Sequence, residues 1–411
     1  MKKTVKLSSI ILLFIGHLSG NAQVENHNVK RHIEILSADS MQGRLVGSLG
    51  EKMAADYIQS QFEAFNLSPL PNHSFLHDFT FVYNRNPHSS APGSDTIRGQ
   101  NVVAFLDNGA KHTFVIGAHY DHLGLNEYNN STDPNGTGEI HNGADDNASG
   151  VAGVLDLARI YSTNDDKESV NFIFACFSGE ELGLTGSKAL SEIIKKEFPN
   201  TSLMINFDMI GRMDSTNQLN IGGIGTSPSL HDVVKNKKPE DFKVIFDSSG
   251  VGPSDHSSFY YQDIPVLFFF TGLHIDYHKP SDEAHKINYT KLIEIINYSK
   301  EIVDSLSFSP DLPFTETKLK EEKKSASYKV SLGVFPDYNK HGDGMHIQEV
   351  IENRTAQKYG LQRGDIITKI GKENITDIYS YMEALSKIEV DQKYKIHFIR
   401  DGKKKIVKVM F

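Results

Sequence analysis

The stretch Thr113-Phe114-Val115-Ile116-Gly117-Ala118-His119-Tyr120-Asp121-His122 carries a short apolar run straight into a cluster of imidazoles and carboxylates. An uninterrupted apolar run of this length reads as a strand buried on both faces. Three more runs read the same way: Val170 to Phe177, Ser202 to Phe207 and Val266 to Phe270. Between them lie helical patterns, Ala148 to Tyr161 and Asn288 to Leu306. In the second, Leu292, Ile295, Ile296, Ile302, Val303 and Leu306 recur at helical spacing. Strands that alternate with helices predict an α/β fold: a mixed, mostly parallel sheet sandwiched by helices.

Each strand runs into, or close to, a residue able to bind metal. His119 closes the first, Glu180 and Glu181 follow the second, Asp208 follows the third, and His278 comes after the fourth. Asp145 stands in Asn142-Gly143-Ala144-Asp145-Asp146-Asn147, just before the first long helix. In an open parallel sheet, ligands gather in the crevice beyond the carboxyl ends of the strands, so residues far apart in sequence can meet there. The donor types are imidazole and carboxylate without thiolate, which suits an open catalytic site rather than a closed structural one. Two ions roughly 3.5–4 Å apart need a carboxylate able to bridge them and a few N or O donors each. Five of the six residues can serve as ligands. Glu180 is left over as a base, and the set points to amide hydrolysis.

The rest of the chain bounds the reading. Its 411 residues, 38% hydrophobic and 23% charged, are those of an ordinary globular protein with a sizeable core. A formal net charge of -9 argues against nucleic acid as the main partner, since phosphate binding needs a basic field. Residues 1–22 read as a signal peptide: Lys2, Lys3 and Lys6 precede an apolar run from Leu7 to Leu18, with small residues up to Ala22. That run is too short to span a bilayer, and no other span follows once it is cleaved. Cys176, the only cysteine, reads as a core residue. An exported protein with one cysteine has no internal disulfide, which fits a periplasmic or secreted bacterial protein. The polar segment Asn126 to Gly143 must be a long surface loop. The main domain is expected over residues 23–306. Residues 307–327, with Pro310, Pro313 and a charge run, read as a linker, and 328–411 as a small β-rich domain.

On His119, Asp145, Glu180, Glu181, Asp208 and His278, together with Asp39-x-Met41-x-Gly43-Arg44, the region from about Val29 to Leu306 resembles the di-zinc aminopeptidase family of peptidase clan MH. Relatives of that family include glutamate carboxypeptidase and glutaminyl cyclase. The resemblance implies two Zn²⁺, with Mn²⁺ or Co²⁺ as possible substitutes, and Asp145 as the bridging ligand. His119 and Asp208 would complete one position, Glu181 and His278 the other. Glu180 would be the general base acting on hydroxide formed from water at the metals. Asp121 would accept a hydrogen bond from the His119 ring, and Tyr277 would donate to the oxyanion. The Asp145–Asp146 peptide bond would be cis. Asp255 and His256, in Ser254-Asp255-His256, would lie near the substrate pocket. Arg212 would touch substrate or brace the sheet, while His122, His141, His274 and His285 would not be primary ligands. The implied substrates are peptides trimmed from the N-terminus. A carboxypeptidase, dipeptidase or other amidase on the same scaffold stays open.

Leu332-Gly333-Val334, then Gly344-Met345-His346-Ile347, then Ala356-x-x-x-Gly360-Leu361-x-x-Gly364-Asp365-Ile366-Ile367 resembles a PDZ domain of the bacterial type. It implies a groove in which a peptide adds as a strand and backbone N–H groups at Leu332, Gly333 and Val334 hold its C-terminal carboxylate. A peptide-binding scaffold with an inactive hydrolase part is the alternative of another class.

Overall fold

The computed structural model describes residues 26–84, 94–164, 166–317, 330–336, 344–350, 354–376 and 378–411. The predicted signal peptide lies outside them. In chain order the first unit contains α1 (Asn26–Leu36), α2 (Leu49–Ala64), β1 (Leu76–Asn84), β2 (Ser94–Leu106), β3 (His112–His119), α3 (Gly150–Thr163), β4 (Val170–Phe177), α4 (Thr185–Glu197) and β5 (Thr201–Phe207). It continues through β6 (Gln218–Gly222), α5 (Leu230–Lys237), β7 (Lys243–Phe246), α6 (His256–Tyr260), β8 (Val266–Phe270) and α7 (Tyr289–Ser307).

Eight strands form one mixed sheet in the order β1-β2-β4-β3-β5-β8-β6-β7. The four runs read from sequence are its parallel centre, β4-β3-β5-β8. Alternation along these strands sorts their side chains into two layers. Phe114, Ile116, Phe172, Phe174, Cys176, Leu203 and Ile205 join the core shared with α1, α2, α3 and α7. Val115, Ile173, Ala175 and Met204 point the other way, into a core with Leu190 and Ile194 of α4 and Phe259 and Tyr260 of α6. Cys176 is a free, buried thiol, as expected. Antiparallel strands β1, β2 and β6 widen the sheet. β1 and the first half of β2 alternate buried and exposed residues, whereas Val102 to Phe105 of β2 form a further apolar run buried on both faces.

α3 begins at Gly150 rather than Ala148, because the backbone at Asp146 and Asn147 is non-helical. The segment after α7 also differs from expectation. Leu312 is buried in the main core, Phe314 packs its ring on Tyr260, and the Thr317 N–H donates to the Tyr260 hydroxyl at 2.9 Å. Residues 307–317 are thus a packed tail of the first unit and not a free linker. No helix among the described residues is long and apolar enough to cross a membrane.

The C-terminal unit has its own antiparallel sheet and its own core. It comprises β9 (Val334–Pro336), β10 (Met345–Val350), α8 (Thr355–Lys358), β11 (Ile366–Ile370), β12 (Glu373–Asn374), α9 (Ile378–Ser386), β13 (Lys393–Arg400) and β14 (Lys403–Met410). Strand order is β14-β13-β11-β10-β9, with β12 on β11. Leu332, Ile347, Leu361, Ile367, Leu385 and Ile396 are among its buried residues.

Candidate metal centre

The carboxyl ends of the four central strands deliver the side chains. His119 is the last residue of β3, Glu180 and Glu181 lie in the turn after β4, Asp208 directly follows β5, and His278 lies in the loop after β8. All five line one pocket together with Asp146, Met209, Pro253, Phe268, Phe270, Leu273 and Tyr277.

The shared carboxylate is Asp146, not Asp145. Asp146 Oδ1 lies 3.4 Å from His119 Nε2, and its Oδ2 lies 3.2 Å from His278 Nε2. Asp145 turns away: its Oδ1 accepts the Gly211 N–H at 2.6 Å, and its Oδ2 sits 3.2 Å from His274 Nε2. Two consecutive aspartates in a tight turn project in different directions, and the sequence does not say which faces the crevice. The turn is set by Gly143 at φ +54°, where a Cβ would stand 2.2 Å from the Asp146 carbonyl oxygen. Asp282 Oδ2 accepts the N–H groups of both Asp145 and Asp146, at 2.9 and 3.0 Å. The cis peptide bond is Asp146–Asn147, one residue later than expected.

Two donor groups meet at Asp146. His119, Asp146 and Asp208 form one; His119 Nε2 is 3.5 Å from Asp208 Oδ1. His122, Asp146 and Glu181 form the other, and His278 Nε2 adds a donor 3.1 Å from Glu181 Oε2. Ligands at 2.0–2.1 Å around a tetrahedral zinc lie about 3.3 Å apart, close to these separations. Asp146 Oδ2 is buried without a hydrogen bond, an oxygen that a cation would satisfy. The residues present therefore fit a pair of metal ions.

The electrostatics follow from burial of many carboxylates together. Glu180 is held well above the usual carboxylate range by burial, opposed by His119 and reinforced by Glu181, Asp255 and Asp208. Burial would lower the His119 imidazolium, but Glu180 and Asp208 outweigh it and hold the ring well above its ordinary value. Burial also opposes the charged form of Glu181, yet His278 and His122 bring it down to about 2.

Asp121 does not take the expected bond. The His119 Nδ1 lies 3.2 Å from the Asp121 backbone oxygen, while the Asp121 carboxylate accepts the N–H groups of Glu180 and Glu181 at 3.2 and 3.4 Å. It orients the glutamate pair, and burial pushes it up to about 8. Tyr277 lines the pocket with its ring stacked on His278 at 3.9 Å. Arg212 braces: it donates to Asp276 at 3.1 Å and faces Asp282 at 4.0 Å. Asp255 and His256 are buried outside the pocket lining; His256 stacks on Phe268 at 4.3 Å, behind the pocket wall. Among residues outside the expected ligand set, His122 meets the Glu181 carboxylate, His274 meets that of Asp145, and Asp282 accepts the backbone N–H groups of Asp145 and Asp146.

Residues 101–303 match the sequence model of peptidase family M28. This region is an M28 peptidase domain. Residues 326–410 match the model of a PDZ domain. The M28 domain is similar to a probable leucine aminopeptidase of Arthroderma benhamiae, 25% identical over 224 residues that cover 52% of this chain and 57% of the relative. The chain spans between a fifth and just over half of the curated relatives it first matches. The fold resembles the solved zinc aminopeptidase BSAP of Bacillus subtilis (TM-score 0.54, 16% identity, 68% of this chain and 95% of that one). It also resembles the glutaminyl cyclase of Porphyromonas gingivalis (TM-score 0.56, 16% identity, 69% and 99%).

In the PDZ domain Leu332 is buried in the core, and its carbonyl accepts the Ala356 N–H at 2.7 Å. Gly333 holds φ +74°, and its N–H donates to Ser331 Oγ at 3.1 Å. Val334 opens β9.

Proposed function

We propose that this chain is an exported aminopeptidase that removes N-terminal residues from peptides at a two-zinc centre. The single observation that carries the reading is the position of Asp146, which faces His119 on one side and His278 on the other in one pocket, with Glu180 in the same lining and outside both donor groups. His119, Asp208 and Asp146 would hold one ion, and Glu181, His278 and Asp146 the other, with His122 bonded to Glu181 Oε1 and 3.9 Å from Asp146 acting from outside. Bound zinc would supply Lewis acidity, lowering the pKa of water and polarising the scissile carbonyl. Glu180, half-buried and free of both groups, takes a proton from the attacking water and returns it to the leaving amine. Tyr277, at the pocket rim beside His278, donates to the developing oxyanion.

The pocket favours the N-terminal over the C-terminal end of a peptide. Its lining contains neither lysine nor arginine, so a terminal carboxylate finds no cationic side chain there. Met209, Phe268, Phe270 and Leu273 offer an apolar wall to the first side chain. Export rests on the basic and apolar N-terminal run and the single cysteine. The PDZ domain would hold the C-terminal carboxylate of longer peptides near the catalytic unit, at Leu332 to Val334.

The test uses zinc-loaded protein and a mixed peptide set, half of it N-terminally acetylated, read by mass spectrometry. Stepwise loss from free N-termini with the acetylated half untouched is the expected result. Trimming from the other end, or cleavage of blocked peptides, contradicts it.

A further inference from the structure

The two metal positions are supported differently. His119 and Asp208 are carried by the sheet itself, at the ends of β3 and β5. Glu181 and His278 lie in loops, and one segment, His122 to Thr132, holds both from outside. His122 Nδ1 meets Glu181 Oε1 at 2.8 Å. A carboxylate only accepts, so the proton sits on His122 Nδ1. His278 Nδ1 meets the Asn130 carbonyl oxygen at 3.1 Å. That bond fixes the ring by its Nδ1 side and turns Nε2 toward Asp146 and Glu181, the nitrogen a metal would take.

The same segment clasps the backbone. The Thr132 N–H donates to the His278 carbonyl at 2.9 Å, the Thr132 hydroxyl to the Tyr277 carbonyl at 2.7 Å, and the Ser131 hydroxyl to the His278 carbonyl at 3.1 Å. His278 has φ +55°, a conformation that a side-chain-bearing residue keeps only when its surroundings hold it.

The base of this strap is gripped by the N-terminal motif. The Gly124 N–H donates to the Gly43 carbonyl at 3.0 Å, and the Asn142 side chain donates to Asp39 at 2.8 Å. Gly43 lies at φ +66°, where a Cβ would stand 2.6 Å from the carbonyl oxygens of both Gly124 and His141. Gly43 and Arg44 thus anchor the start of the strap, at Gly124 and His122, and Asp39 and Arg44 hold the same loop where it ends, at Asn142.

We propose that the segment His122–Thr132, anchored on the Asp39–Arg44 turn, is a positioning device for one metal position only, that of Glu181 and His278. The proposal rests on the two-metal reading above. Metal occupancy then becomes separable: loosening the strap should yield a protein with one firm ion.

The experiment titrates metal-free full-length protein with zinc against a chromogenic chelator. Wild type is compared with His122→Ala and with the double variant Ser131→Ala/Thr132→Val, which alters no proposed ligand. Thermal unfolding of each metal-free protein accompanies the titration, as evidence that the variants fold. Wild type is expected to take up two equivalents. Each variant should bind one equivalent as wild type does and the other 10- to 100-fold more weakly, the usual effect of removing an outer partner. Equal weakening of both equivalents, or of neither, overturns the proposal. A loss confined to His122→Ala overturns it as well, because His122 would then act alone and the strap would be idle. If wild type itself takes up fewer than two ions, the two-metal reading fails first, and that result appears in the wild-type arm.

Discussion

Arg44 donates to the Gly143 carbonyl at 3.0 Å, three residues before the shared carboxylate Asp146. The guanidinium is fully buried and also donates to the carbonyls of Tyr120 at 2.7 Å, Asn142 at 2.7 Å and Leu36. One cation therefore ties α1, the segment after β3 and the turn before α3 together. Burial brings its pKa down to about 10, so it stays charged at neutral pH. A hydrogen bond to a charged donor contributes about 1.5–3 kcal/mol, and removal leaves buried carbonyls unpaired. Arg44→Met is expected to lower unfolding free energy by about 3 kcal/mol or more in denaturant titrations of the metal-free protein. A change below 1 kcal/mol, on the scale of a surface substitution, would deny it this role.

Glu180 lies in the pocket but outside both donor groups. Glu180→Gln keeps the shape and removes the base. Zinc content by atomic emission should stay at the wild-type value while kcat falls by roughly 10²–10⁴. Undiminished turnover would assign the base elsewhere.

Buried histidines make the fold acid-sensitive. Burial lowers His256 to about 3; His32 is lowered to about 4 by burial and then by Arg31 and Arg159. Both are neutral in the folded chain below the pH at which the unfolded chain protonates them, so the unfolded state binds more protons. Stability is therefore present above about pH 6.5 and lost as pH falls toward 4 and then 3, at about 1.4 kcal/mol per unit for each group. His256→Phe should remove one such contribution between pH 5 and 6. An unchanged slope in urea titrations would show that His256 is already protonated in the fold.

In the PDZ domain Gly333 sits at φ +74°, and a Cβ there would stand 2.2 Å from the Arg354 Cβ. Gly333→Val should abolish binding of peptide C-termini, read by fluorescence anisotropy, and leave hydrolysis of dipeptides unchanged. Retained binding would move the carboxylate site away from this loop.

How much of this was legible in the sequence depends on what each residue signals. The apolar runs ending at Phe177, Phe207 and Phe270 announce buried strands, because they are too short for helices and rich in aromatic and β-branched residues. His119, Glu180, Glu181, Asp208 and His278 could be placed from those strand ends. Asp146 could not be told from Asp145, since the direction of a side chain in a turn is set by Gly143, Gly211 and Asp282, which are distant or silent in sequence. His122 was visible in the strand-end cluster, but its contact with Glu181 crosses 59 residues. The loop from Asn126 to Gly143 reads as plain polar surface; its bonds to Tyr277 and His278 pass through backbone carbonyls, which no sequence pattern marks.

The central claim is that one carboxylate, Asp146, joins two metal ions. The most direct measurement is zinc stoichiometry of full-length Asp146→Ala beside Asp145→Ala, by atomic emission after dialysis against a low zinc concentration. Both ions should be lost from Asp146→Ala, while Asp145→Ala, whose carboxylate faces Gly211 and His274, retains zinc. Two tightly held ions in Asp146→Ala, or their loss only from Asp145→Ala, would contradict the account.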